Sequence, residues 1–160
     1  MLTSARPSAA PTADDLLRLS ETSNAVLLAG DVDRYFALVD LTDDFTLMSP
    51  FGGTPTRGRM STAAQRESLR RFFQGGTLSV ELVSAYCTAE LAVLALIEHA
   101  HAAVGGLEAQ AWTLRVTLVY RREHDGWRLA HRHADPLGPG ISLQQAAALA
   151  RGDVLASVVS

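Results

Sequence analysis

Hydrophobic positions along the chain change period twice. From Thr12 the apolar residues Leu16, Leu17, Leu19, Val26, Leu27 and Leu28 recur at helical spacing as far as Gly30, with Asp14 and Asp15 in the first turn where the helix dipole favours acids. This predicts a helix over about 13–29. Asp31 opens a second, shorter helix in which Val32, Tyr35, Phe36 and Val39 share a face. At Phe45 the period becomes an alternation, FTLMSPF, which runs into the turn-rich segment GGTPTRG. A third helix is expected over about 59–74, with Ala63, Leu69, Phe72 and Phe73 inward, Arg66, Arg70 and Arg71 outward, and Gly75-Gly76 as its stop. Beyond it the chain reads as four consecutive antiparallel strands joined as hairpins, with turns near residue 88, at Gly105-Gly106 and at His124-Asp125-Gly126. The alanine-rich run 89–103 fits a helix on propensity alone, but its place between extended segments and before a glycine pair favours a strand. A short amphipathic helix closes the pattern over 141–150.

Helices followed by a strand meander define an α+β fold, in which the helices cover one face of a curved antiparallel sheet and enclose a hollow. The expected organisation is a flexible arm over 1–12, one domain over 13–137, and a short helix and tail over 138–160. A chain of 160 residues suits one core. Its 48% apolar and 19% charged residues supply that core, and no apolar run approaches the roughly 18–20 residues of a membrane span. The reading is a protein of the cytoplasm with no membrane partner. A net charge of −3 gives phosphate backbones no long-range attraction, so no nucleic-acid partner is expected. Cys87 is the single cysteine, which excludes an intrachain disulfide, and it reads as a small buried hydrophobe in a strand. All 14 basic side chains are arginine, so no lysine Schiff base can form, and the bias against lysine suggests a GC-rich bacterial source.

The last hairpin, LRVTLVYRREHDGWRLAHRHADP, resembles SnoaL-like and ketosteroid isomerase-like domains of the nuclear transport factor 2-like superfamily. There an arginine-bearing strand meets an aspartate-glycine turn, a tryptophan and His-x-His. The association domain of calcium/calmodulin-dependent protein kinase II is similar here too, including the glycine pair before the penultimate strand. The resemblance extends over about residues 13–137 in element order and over 105–136 in motif. It implies a cone-shaped α+β barrel with a pocket and no cofactor. This superfold hosts isomerases, cyclases, dehydratases and assembly modules, so fold alone does not fix function. One departure is that Ala134, Asp135 and Pro136 follow His-x-His, where a serine or other small residue is usual, and this sets a carboxylate near two imidazoles.

In an extended strand Trp127, Leu129, His131, His133 and Asp135 point one way, and Arg128, Ala130, Arg132 and Ala134 the other. His99 and His101 likewise share a face, as do Thr113, Arg115 and Thr117. One reading is acid/base catalysis, with His131 or His133 oriented by Asp135 moving a proton and Arg115 stabilising the oxyanion. The other is that these imidazoles bond to neighbouring strands or face a second copy. Arg115 equally suits a ligand carboxylate, or a partnership with Glu98 or another acid across the sheet. His99 and His101 are candidate ligand contacts; two His pairs on strands also suggest a metal, but acidic ligands are scarce and none is assigned. Tyr35, Phe36, Met48, Phe51 and Trp112, with Phe45, are either core or the lining of an apolar pocket. Glu98 is either a buried carboxylate of raised pKa or a residue at a solvent-facing edge. The functional expectation is a small-molecule-binding domain. It would be an isomerase, cyclase or dehydratase acting on an apolar carbonyl or hydroxyl compound, or else a non-catalytic binding or dimerisation module. Because the strands carry apolar residues on both faces, a homodimer through the sheet is expected.

Overall fold

The structure, a computed structural model, describes residues 11–60 and 62–153; most of the expected arm and the end of the tail lie outside the described residues. The element order is α1 (Ala13–Leu28), α2 (Val32–Leu38), β1 (Leu41–Met48), β2 (Thr56–Arg57), α3 (Ala63–Phe72), β3 (Phe73–Cys87), β4 (Leu91–Val104), β5 (Gln110–Glu123), β6 (Gly126–Pro136) and α4 (Leu143–Arg151). The six strands form one curved open sheet in the order β2-β1-β6-β5-β4-β3.

Local chemistry sets the helix starts. Thr12 and Asp15 form a reciprocal capping box on α1, in which Thr12 Oγ1 accepts from the Asp15 amide at 3.2 Å and Asp15 Oδ2 accepts from the Thr12 amide at 2.8 Å. The backbone bond from Thr12, with others from its side chain and Arg18, holds the Asp15 carboxyl below its ordinary range. Thr62 with Gln65 and Ser142 with Gln145 repeat the device on α3 and α4.

The alanine-rich run is a strand. Along β4, Ala92, Leu94, Leu96, Glu98, Ala102 and Val104 are buried while the intervening residues are more open, a period of two that only an extended chain gives. β3 to β6 pair as antiparallel hairpins in sequence order. β1, by contrast, runs parallel to β6, which it can do because no hairpin links strands so far apart in the chain.

Four local readings are corrected. First, α3 ends at Phe72, and the glycine pair taken for its stop lies within β3. A Cβ at Gly76 would stand 2.6 Å from Ala102 Cβ and 2.8 Å from the His101 carbonyl, so glycine is required there by the close approach of β4. Second, β1 begins at Leu41 rather than at Phe45. Third, Cys87 is exposed, because it is the final residue of the sheet's outermost strand. Fourth, the face alternation of β6 is broken by a register shift: Leu129 pairs with Tyr120 and His131 with Val119, so Ala130 is extra and Leu129 turns inward, away from His131.

The helices cover one face of the sheet. The packed core lies there between α1, α2 and one end of the strands, built from Leu16, Tyr35, Phe45, Leu94, Leu96, Val116, Leu118 and Leu129 among others. At the other end of the same strands the side chains do not meet, and a cavity remains.

Candidate functional site

A cavity of about 350 Å³ opens between the sheet and the helices. Its walls are apolar, with Leu27 and Leu28 from α1, Phe36 from α2, Leu47 from β1, Leu69 and Phe72 from α3, and Leu114 from β5. The strands account for this arrangement residue by residue. Along β5, Val116 and Leu118 belong to the core, whereas Leu114 and Trp112, on the same face, line the cavity.

Charge enters only at the junction of core and cavity. Arg132 of β6 reaches across β5 to Glu98 of β4 and forms a bidentate pair, Nη1 to Oε1 at 2.8 Å and Nη2 to Oε2 at 2.7 Å. The amide of Asn24 in α1 donates to the same Glu98 Oε1 at 3.0 Å. The carboxylate thus accepts three hydrogen bonds, while the pair uses two of the five donors of the guanidinium. Glu98 is almost wholly buried, and the Arg132 side chain keeps 17% of its surface accessible. Burial opposes the charge on Arg132, but attraction to Glu98 and its hydrogen bonds outweigh that, and the pKa moves up. Tyr35, which also lines the cavity, and Tyr120 in the core beside it have their phenols pushed up by desolvation and stay neutral. Ser20 accepts a 3.4 Å bond from Asn24. The floor is a net-neutral, hydrogen-bonded polar cluster beneath apolar walls.

The sequence-predicted site residues divide between the two faces. Tyr35, Phe36, Phe51 and Trp112 line the cavity. His131, His133, Asp135, Arg115, His99 and His101 stand on the sheet face opposite it, out of phase with Arg132, Leu114, Glu98 and Ala100. There Arg115 pairs with Asp135 at 2.8 and 3.1 Å rather than with Glu98. His131 Nδ1 and Thr46 Oγ1 share a 2.7 Å hydrogen bond, and His99 lies 3.6 Å from Glu81. Met48 is 41% exposed and sits beside His133 in the β1–β6 register, while Leu47 faces the cavity. Among the described residues no group of three or more potential ligands could hold a metal ion.

Asn24 and Arg132 were not singled out from sequence. Arg132 did leave a signal, because it shares its strand phase with Ala134, as Glu98 does with Leu94 and Leu96. Two opposite charges in apolar phases of nearby strands are the mark of an internal pair.

Fold and cavity define an α+β protein of the curved-sheet, helix-roofed class, hollow at one end. Residues 21–136 match the family model for the SnoaL-like domain, and the chain belongs to that family. Comparison with curated proteins gives no match. Among solved structures, a candidate calcium/calmodulin-dependent protein kinase type II association domain from Thiobacillus denitrificans superposes with a TM-score of 0.61 at 26% identity, covering 82% of this chain and 100% of that one. A nuclear transport factor 2-like protein with a cystatin-like fold from Novosphingobium aromaticivorans gives 0.60 at 18% identity, covering 85% and 87%. A candidate ketosteroid isomerase from Shewanella frigidimarina gives 0.56 at 19%, covering 74% and 92%. The last two show likeness of fold alone. No helix among the described residues is long and apolar enough to cross a membrane.

Proposed function

We propose that the domain binds a small, largely apolar compound whose carbonyl or hydroxyl group rests against the Glu98–Arg132 floor. The observation that carries this reading is a buried, internally compensated ion pair facing an otherwise apolar cavity at the small end of the ligand-site range. A neutral polar head gains a charge-assisted hydrogen bond there. A second carboxylate would leave a net buried negative charge. The geometry favours holding a ligand over proton abstraction, since both Glu98 oxygens already accept hydrogen bonds from Arg132 and Asn24.

The matched series 2-adamantanone, 2-adamantanol and adamantane tests this. The ketone or the alcohol should bind on the order of tenfold more tightly than the hydrocarbon, given the value of a hydrogen bond to a charged group. Nitrogen-edited NMR should show the shifts at the Asn24 amide and the Trp112 indole. Equal affinity for all three, or shifts confined to the opposite face, would reject the proposal.

The outer face supports a second proposal, a homodimer through the sheet. Val93, Ala95 and Ile97 of β4 lie beside Val119 and Thr117 of β5, a largely apolar band that no helix among the described residues covers. The histidines and the Arg115–Asp135 pair flank it, so their proposed place is at the contact between copies. Sedimentation should give a dimer for the unmodified chain and a monomer for Ile97→Asp; a monomer at high protein concentration in both contradicts it.

A further inference from the structure

The β1–β2 loop contributes Ser49, Pro50 and Phe51 to the lining of the cavity, and its one large apolar side chain is Phe51. Phe51 is 53% exposed yet lines the cavity, so it stands at the boundary between the hollow and solvent. It reaches from the β1 side of the sheet to Phe72 of α3 and Trp112 of β5, meeting both rings edge-on at 5.2 and 5.8 Å.

The three rings are held very differently. Phe72 is fixed by the β4–β5 turn: its carbonyl accepts from the Gly105 amide at 2.8 Å, and that glycine packs against its ring. Trp112 is fixed through its indole N–H, which donates to the Ala102 carbonyl at 3.1 Å. Among the described residues Phe51 bonds within its own loop, its amide donating to Ser49 Oγ at 3.2 Å. Gly52 and Gly53 follow it at φ of +78° and +85°, a conformation that favours glycine, and among the described residues nothing beyond their chain neighbours lies within 4 Å of where their Cβ atoms would be. The tip is therefore unpacked, while the loop's root is tied by Thr56 and Arg57 pairing with β1 and by the Gly58 amide donating to the Phe45 carbonyl at 2.7 Å.

We infer that this loop is a strap over the cavity, with Phe51 as its latch against a fixed jamb of Phe72 and Trp112, and that ligand exchange passes beneath it. The inference deepens the binding reading above and rests on it for the identity of what passes. Opening breaks two edge-to-face contacts and no backbone pairing of the sheet.

A Trp127→Phe background leaves Trp112 as the sole tryptophan reporter, and Phe51→Ala and Phe51→Tyr are compared in it. The neutral dye N-phenyl-1-naphthylamine is followed by stopped-flow energy transfer from Trp112. Phe51→Ala should raise both its association and its dissociation rates about tenfold, the value of two lost aromatic contacts, and Phe51→Tyr should preserve the slow exchange. Acrylamide quenching of Trp112, which needs no ligand, should rise in the alanine variant alone. Unchanged rates with unchanged quenching overturn the strap. A dye that binds neither variant while quenching still rises would support the strap and count against the ligand reading.

Discussion

Two of the sheet's bidentate arginine–carboxylate pairs have nearly the same geometry and lie on opposite faces. Glu98–Arg132 closes at 2.7 and 2.8 Å with side chains 4% and 17% accessible, and Arg115–Asp135 at 2.8 and 3.1 Å with 40% accessible on the aspartate and 61% on the arginine. Distance therefore does not distinguish them; solvent does. In water the outer pair is screened and contributes little, whereas the inner pair lies where an unpaired charge is severely penalised. The same chemistry is a surface contact on one face and the floor of a cavity on the other.

That contrast is most easily broken by removing one partner from each pair. Arg132→Met strands a buried carboxylate and should cost about 3 to 5 kcal/mol in urea unfolding, against about 1 kcal/mol or less for Arg115→Met. Similar losses at both sites would mean that the inner pair is far wetter than its burial implies. Next in size is an adjacent pair on β4: Leu94→Ala, in the core, should cost about 2 to 5 kcal/mol. Val93→Ala, facing the other way, should cost roughly 1 kcal/mol or less in the monomer, as for partly exposed positions, and register instead as weaker self-association.

Replacing both inner charges, Glu98→Leu with Arg132→Met, should recover much of the single variant's loss while abolishing discrimination between 2-adamantanone and adamantane. Calorimetric titration with the two compounds checks the second half. If discrimination survives, the head group is read elsewhere.

The smallest effect belongs to an exposed pair. Two hydrogen bonds from Arg121, at 2.9 and 3.0 Å, hold the Asp44 carboxyl down at about 2. Its folded pKa is below the unfolded value of roughly 3.9, so its contribution is present above that pH and lost as pH falls toward 2. Asp44→Asn should lower the urea midpoint slightly at pH 7, with the difference from the unmodified chain vanishing near pH 2. A difference that persists at pH 2 would assign it to packing.

Much of this architecture was legible along the chain because it depends on near neighbours. Thr12 with its following acids marks a helix start, and the place of 89–103 between extended segments and before a glycine pair marks a strand even against the propensity of its alanines. The family resemblance in the last hairpin likewise rests on contiguous residues, and the match over 21–136 agrees with it. The site was less legible. Aromatic residues such as Phe36 and Trp112 were identified as cavity lining or core, but Glu98 and Arg132 lie 34 positions apart, and neither residue alone announces the other.

What the sequence determined by itself is the order of elements and the division of each strand into two chemically distinct faces, since side-chain period and capping are properties of local backbone geometry. Only the tertiary structure decided which face the helices close over. Strand alternation is symmetric with respect to that choice, and the extra residue at Ala130 shifts the phase within β6. Packing of α1 and α2 placed Arg132 inside and His131 and His133 outside, because desolvating a compensated pair and burying aliphatic side chains depends on what lies across the gap, which no single strand encodes.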